Sequence, residues 1–141
     1  MTPLNLTEIP PRSPQVELRG LCMLPRMIDI ARAKLPGGQV GEYQIGRGMS
    51  GFIFAKLGVN VPEFVKLVAE SEADEDIANA LLKKDDYSAL SARLRRLTVA
   101  EIPAEMRADF EGYYGTSLPR DMKFFDVLDA DDAKLLPRRQ A

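Results

Sequence analysis

The sequence contains no histidine and only one cysteine, Cys22. Without histidine, the chain lacks the commonest general base and the commonest metal ligand in proteins. Ser-His-Asp and Cys-His mechanisms are therefore excluded, and so are zinc sites built from Cys and His. A single cysteine cannot form an intrachain disulfide. Since the N-terminal residues also do not resemble a secretory signal, we expect a cytoplasmic protein.

Long apolar runs and a large net charge are also missing. The longest apolar stretches cover four or five residues, such as 52–55, which is far below the ~20 needed to span a bilayer. The chain carries 19 basic and 21 acidic residues, for a net charge of −2. Proteins that bind nucleic acid usually carry a basic excess, because phosphate contacts dominate their affinity. We therefore expect neither a membrane nor a nucleic acid as partner.

Amphipathic helical patterns are what the sequence does contain. In the clearest one, Leu24, Met27, Ile28, Ala31 and Leu35 recur at the spacing of one buried helical stripe. Similar patterns mark seven further segments that could form short helices, near residues 14–18, 51–57, 62–68, 74–82, 87–97, 103–114 and 120–129. Strand signals are nearly absent, which disfavours a parallel sheet. The sequence therefore predicts an all-α fold, an irregular bundle of five to seven short helices.

Prolines suggest the domain boundaries. Residues 1–14 contain four of them, and proline removes a backbone donor and restricts the residue before it. We therefore predict a proline-rich extended arm over residues 1–12, a single helical domain over residues 13–134 and a frayed tail over residues 135–141.

The glycine-rich segment after residue 45 matches a nucleotide-binding pattern. Gly46, Gly48 and Gly51 spell G-x-G-x-x-G, which binds dinucleotides when it follows a strand inside a βαβ unit. Helical patterns follow this segment instead. We therefore interpret it as a turn leading into a helix capped by Ser50, and we predict no cofactor.

Five polar residues form the candidate ligand site. Arg26, Asp29 and Arg32 follow the i, i+3, i+6 spacing and are predicted on the solvent side of their helix or at its edge. They form either surface ion pairs or two guanidinium groups, oriented by a carboxylate, that hold a phosphate or carboxylate. Glu42 and Tyr43 lie in the central loop, which could fold over the arginines. Alternatively, Tyr43 only fills a gap in the packing.

Four aspartates crowd the end of the last predicted helix: Asp126, Asp129, Asp131 and Asp132. Oxygen-rich clusters can hold calcium or magnesium, but the spacing of this one does not fit an EF-hand loop. We interpret the cluster as solvated or capping, and we predict no metal.

Several runs resemble a known family. They are Arg12-Ser13-Pro14, Gly20, the segment from Leu24 to Ala33, Gly41-Glu42-Tyr43, and the segment from Phe125 to Asp131. Together they resemble a bacterial family catalogued as domain of unknown function 5069, over residues 12–132. The resemblance implies a stand-alone bacterial protein and no particular activity. Its motifs include all five candidate site residues.

Three functions remain open. The first is a binding module that uses Arg26, Arg32 and the Glu42–Tyr43 loop to hold a small anionic ligand or a protein segment. The second is an enzyme without histidine, in which Glu42 or Asp29 acts as base and the arginines hold an anionic substrate. The third is a structural or regulatory domain that contacts a partner protein through Phe110, Tyr113 and Tyr114.

Overall fold

A bundle of short helices forms the protein, as a computed structural model that describes residues 1–136 shows. The helices are Leu24–Ala33 (α1), Gly48–Leu57 (α2), Val61–Glu70 (α3), Asp74–Leu81 (α4), Ser88–Arg96 (α5), Ala104–Tyr114 (α6) and Phe124–Leu135 (α7). A 3₁₀ turn, Val99–Glu101, precedes α6. The predicted, mainly helical fold is confirmed, with seven α-helices in the described part of the chain.

Helix α1 lies at the centre of the bundle. It begins at Leu24, with Pro25 in its first turn, and every residue up to Ala33 except Arg32 is buried. A helix that is apolar on nearly all sides is a core element, and charged residues within it need partners. Two such residues, Arg26 and Asp29, are each only 5% exposed. Their predicted position at the solvent side of the helix is therefore wrong.

A two-stranded hairpin precedes α1. Its strands are Glu17–Leu18 (β1) and Leu21–Cys22 (β2), which pair antiparallel. The short helix predicted over residues 14–18 is therefore wrong. The hairpin turns at Arg19 and Gly20, which have φ angles of 51° and 81°. Such a pair of left-handed residues suits a two-residue turn.

Residues 1–12 pack against the helical domain. The amide of Leu6 donates to the carbonyl of Gln39 at 2.8 Å, and the amide of Gln39 donates to the carbonyl of Leu4 at 3.0 Å. The side chain of Leu6 is buried with Ile30 and Tyr43 in a small apolar cluster. A separate extended arm is not shown.

The predicted domain limits remain predictions. Helix α7 ends at Leu135, at the start of the tail predicted over residues 135–141. The rest of that tail, residues 137–141, lies outside the described residues.

The glycine-rich segment forms a turn that leads into α2, as interpreted from the sequence. Gly46 has a φ of 94°, and a Cβ atom there would lie 2.5 Å from Cγ2 of Val61. Glycine is therefore required at this position. Helix α2 begins earlier than predicted, at Gly48. The hydroxyl of Ser50 donates to the carbonyl of Arg47 from within the first turn, so Ser50 is not the N-cap. Within residues 1–136, the only sheet is the hairpin, and no βαβ unit surrounds the motif.

No helix among the described residues combines the length and apolar character needed to cross a membrane.

Candidate functional site

A cavity of about 280 Å³ opens between α1, α6, α7 and the loop that precedes α2. Aromatic rings form part of its wall: Tyr43, Phe110, Tyr113, Tyr114 and Phe124. Methionine side chains add Met23, Met27, Met49 and Met106. The charged residues at the wall are Arg26, Glu42, Arg47, Asp109 and Asp131. An apolar cavity with a few polar groups is the usual form of a small-molecule site, and this volume is near the lower end of the range for such sites.

Arg26 reaches the cavity from α1, but its charge is already matched. Its Nη1 and Nη2 atoms donate to Oδ2 and Oδ1 of Asp132 at 2.7 and 2.9 Å. The Tyr43 hydroxyl donates to the same Oδ1 at 3.0 Å. The guanidinium carbon lies 5.5 Å from the centre of the Tyr43 ring, within the range of a cation–π contact. One buried network thus joins α1, α7 and the loop that precedes α2.

Burial and charge alter the acid–base behaviour of this network. Burial raises the pKa of Tyr43 well above its usual value, and the neighbouring Asp132 carboxylate raises it further. Burial alone would lower the pKa of Arg26, but the hydrogen bonds and charge of Asp132 outweigh that effect and raise it. Arg26 therefore stays charged and Tyr43 stays protonated at neutral pH. The arrangement fixes the cavity wall, and neither Arg26 nor Tyr43 exchanges a proton near pH 7.

A second ionic network lies outside the cavity and is centred on Arg12. The Arg12 guanidinium binds both oxygens of Asp29 and both oxygens of Asp74, with contacts from 2.7 to 3.3 Å. The Arg12 amide also donates to Asp29, at 2.8 Å, and the Arg12 carbonyl accepts from Arg26 at 3.3 Å. Asp29 is therefore a structural partner of Arg12.

Arg32 also faces away from the cavity. Its Nε atom donates to the carbonyl of Thr2 at 2.8 Å, and its nearest contact with Asp29 is 4.0 Å. Of the five predicted site residues, the structure brings three to the cavity wall, namely Arg26, Glu42 and Tyr43. Asp29 and Arg32 instead hold the N-terminal residues against α1.

Helix α6 forms the aromatic side of the cavity. The ring of Tyr114 packs 4.9 Å from Phe110 and 4.6 Å from Tyr113, measured between ring centres. Phe110 is buried, whereas Tyr113 is 43% exposed. The Tyr113 hydroxyl donates to the carbonyl of Glu42 at 3.3 Å, which joins the loop to α6 at the cavity rim.

Two residues of the aspartate cluster belong to the site, although the sequence pattern was interpreted as solvated or capping. Asp132 is buried against Arg26, and Asp131 lies at the cavity wall. Burial raises the pKa of Asp131, and the charge of Asp132 raises it further. A signal was present: Asp132 follows Phe125 by seven residues and Leu128 by four, so it occupies the buried stripe of α7. A carboxylate on that stripe requires a buried cation.

A family model described as domain of unknown function (DUF5069) matches residues 8–134 of the sequence. The chain belongs to this family. The match confirms the resemblance stated from the sequence motifs and includes both ionic networks and the whole cavity wall. No curated protein matches the chain. Chemistry in this DUF5069 protein must therefore be argued from the site itself.

The part of the chain that the structure describes contains no set of side chains that could bind a metal ion. Within residues 1–136, no three His, Cys, Asp or Glu side chains are close enough together to hold a metal ion. What the cavity of the DUF5069 protein offers instead is aromatic and methionine surface beside three carboxylates and two arginines, of which Arg26 is already paired.

Proposed function

We propose that this protein is a small-molecule-binding module whose ligand occupies the cavity between α1, α6, α7 and the loop before α2. The observation that carries the proposal is the cavity itself, since it gathers three predicted site residues, Arg26, Glu42 and Tyr43, with the rings of α6. A buried ionic network holds one wall in place, which favours a preformed site. A cytoplasmic location and a bacterial source are part of the proposal. The free, buried thiol of Cys22 fits a reducing compartment, and the family resemblance implies the source.

The protein-contact alternative has less support from α6. Of the three rings predicted to contact a partner, Phe110 is buried and Tyr114 packs against it, so only Tyr113 is largely exposed. A single exposed ring does not make the large apolar patch that marks an interaction surface. The same ring at the rim of a cavity is well placed to contact a small ligand.

A thermal-shift screen of the purified protein tests the proposal. The panel contains nucleotides, sugar phosphates, carboxylates, amines, quaternary ammonium compounds and uncharged aromatic compounds. A ligand at a hundred times its dissociation constant stabilises by about 2.7 kcal/mol. That corresponds to a rise of roughly 5 to 10 °C in the melting temperature. Absence of any shift across the panel would contradict the proposal and lead to a search for a protein partner.

A matched pair of variants places the ligand. Tyr113→Ala removes a ring at the cavity rim and should weaken binding of any compound found in the screen. Phe52→Ala removes a ring of similar exposure on α2 that does not line this cavity. The control should leave affinity unchanged. Equal losses in both variants would place the ligand elsewhere.

A histidine-free enzyme is a second candidate, and one observation favours it. Asp131 is a carboxylate at a cavity wall whose pKa is raised, mainly by burial, and such groups are frequent among catalytic acids and bases. The predicted base Asp29 is instead bound to Arg12. Mass spectrometry of the ligand after incubation decides between the two. Conversion that stops in Asp131→Asn would favour the enzyme, and recovery of unchanged ligand would favour the binding module.

A further inference from the structure

We infer that the ligand carries a positively charged organic group, an amine or quaternary ammonium, held by Glu42 and Asp131 beside the rings of Tyr113 and Tyr114. The inference rests on the proposed function, because it names the chemistry of the ligand for the same cavity. It also reverses the sign of charge that was predicted from the arginines in the sequence.

The balance of charge at the cavity wall is the first step. Three carboxylates line it, those of Glu42, Asp109 and Asp131, against the two arginines Arg26 and Arg47. The charge of Arg26 is matched by Asp132, which lies behind it. That leaves three carboxylates against Arg47, which is exposed to solvent, as are Glu42 and Asp109. The cavity therefore presents an excess of negative charge to a ligand.

The three carboxylates have hydrogen-bonding capacity that ion pairs do not use. Among residues 1–136, no lysine or arginine lies within ion-pair distance of Glu42, Asp109 or Asp131. Arg26 and Lys134 affect Asp131 only through their charges, from beyond ion-pair distance. The arginine predicted to bind an anion is thus the occupied partner, whereas the carboxylates can still accept hydrogen bonds from a cation.

The aromatic wall favours an organic cation. Tyr113 and Tyr114 meet edge to face with ring centres 4.6 Å apart. Rings in this arrangement offer an electron-rich face and edges to a neighbouring group, and cations bind such faces within about 6 Å of the ring centre. The Tyr113 hydroxyl, by bonding to the Glu42 carbonyl, keeps its ring close to the segment that carries the Glu42 carboxylate.

The titration of the wall agrees with this geometry. The pKa of Tyr114 is raised first by burial and then by the charge of Asp131, and the pKa of Tyr113 is raised by burial and then by Asp131 and Glu42. Burial is the larger cause of each shift, and the smaller contribution of the carboxylates agrees with a negative potential at the two rings. A bound cation would offset that potential, and an anion would make it more negative.

Binding of three matched probes tests the inference directly. Benzyltrimethylammonium, benzyl alcohol and benzoate share one ring and differ in charge. Isothermal titration calorimetry should show the cation binding about tenfold or more tightly than the alcohol, with benzoate weakest. Raised salt should weaken binding of the cation and leave binding of the alcohol unchanged, because only cation binding depends on charge.

Variants assign the effect to the carboxylates. Glu42→Gln and Asp131→Asn should each lower the affinity for the cation about tenfold and leave the alcohol unchanged. Asp129→Asn is the control, since Asp129 lies on the same helix but not at the cavity wall. An equal loss in the control, or no loss in the two variants, would overturn the inference.

Methionine methyl spectra report where weak probes bind. Met23, Met27, Met49 and Met106 line the cavity, whereas Met1 and Met122 do not. Because Met49 and Met106 also line a second, smaller cavity, shifts that include Met23 and Met27 and spare Met1 and Met122 place the probe in this one. If neutral or anionic compounds bind there and cations do not, the inference fails and the proposed function stands. If no charge class from the screen or the probes binds, both fail.

Discussion

Arg26 on α1 and Asp132 on α7 form a buried ion pair with two parallel hydrogen bonds, of 2.7 and 2.9 Å, between residues that are 106 positions apart in sequence. Such a pair does not by itself show that the fold gains stability, because burying both charges costs about as much as their attraction returns. Its clear consequence is different. Either residue alone would be a buried, unmatched charge, so the two positions must change together.

Breaking the Arg26–Asp132 pair should therefore be strongly destabilising. We expect Asp132→Leu and Arg26→Met each to lower the free energy of unfolding by about 3–5 kcal/mol. The double variant Arg26→Met with Asp132→Leu replaces both charges by apolar groups and should be closer to wild type than either single variant. Urea denaturation of all four proteins measures this. Strictly additive losses would contradict a coupled pair.

Loss of the Tyr43 hydroxyl should have a smaller effect on the same network. Tyr43→Phe keeps the ring and removes one donor to the buried Asp132, so we expect a loss of about 1–2 kcal/mol in the free energy of unfolding. Tyr113→Phe is the matched control, because its hydroxyl bonds to a backbone carbonyl at an exposed rim. The control should cost less than about 0.5 kcal/mol. Similar losses in both variants would argue against a special role for Tyr43.

Much of the helical fold was predictable, because its signals are local. The apolar spacing from Leu24 predicted α1, and the helix predicted over residues 103–114 matches α6. The hairpin was missed because Ser13 and Pro14 form a common helix-start pattern. Its turn also needs Arg19 in a left-handed conformation, which such a residue rarely adopts.

The site was predictable only in part, for a related reason. The sequence singled out Arg26 by its spacing and Tyr43 by its place in the central loop. Their partner Asp132 lies 106 positions from Arg26 and meets it only through the packing of α7 on α1. Arg12 likewise reaches Asp29 and Asp74 through tertiary contacts. Which charges are matched, and hence which remain for a ligand, follows from these long-range contacts.

Arg12 should be the residue that holds the N-terminal segment to the helices. Arg12→Ala would leave the buried Asp29 with only the 4.0 Å contact to Arg32. Because Arg12 itself is partly exposed, we expect a loss of about 2–3 kcal/mol in the free energy of unfolding. Arg19→Ala, which breaks an exposed pair with Glu75, should cost at most about 1 kcal/mol.

Hydrogen exchange separates the Arg12 effect from general destabilisation. Amides of Leu4, Leu6 and Gln39 pair the N-terminal segment with the domain. In Arg12→Ala these amides should exchange faster than those of α6, whose side chains bond to residues 42 and 99–102 and to none of residues 1–22. A uniform increase over the whole chain would show that the contact does not act locally.

The tyrosines should make stability fall at alkaline pH. Burial raises the pKa of Tyr43, Tyr113 and Tyr114 in the folded protein, whereas unfolded tyrosines titrate near 10. Unfolding therefore releases protons above about pH 10, so the free energy of unfolding decreases as the pH rises through that value. Below it these groups contribute no pH dependence. Tyrosinate absorbance should be lower in the folded protein than in urea at the same alkaline pH, and equal absorbance would refute the prediction.

Asp131 should lower the stability of the unliganded protein. Burial and the nearby Asp132 raise its pKa, so its ionised form is less favourable in the folded state than in the unfolded one. We expect Asp131→Asn to increase the free energy of unfolding at pH 7, by less than about 1 kcal/mol because the residue is partly exposed. The gain should vanish as the pH falls below about 4, because the wild-type carboxyl is then protonated in both the folded and the unfolded state.

Thermal melts of Asp131→Asn over that pH range check this sign, with Asp129→Asn as the control on the same helix. If Asp131 stabilises the fold, the substitution should make the protein less stable. If Asp131 serves a ligand instead, the substitution should make the free protein more stable and weaken binding, since functional groups are often held at a cost to the fold. Stabilisation of the free protein together with weaker binding of benzyltrimethylammonium is therefore the result that identifies Asp131 as part of a cation site. Destabilisation at pH 7 would contradict that role even if binding were also lost.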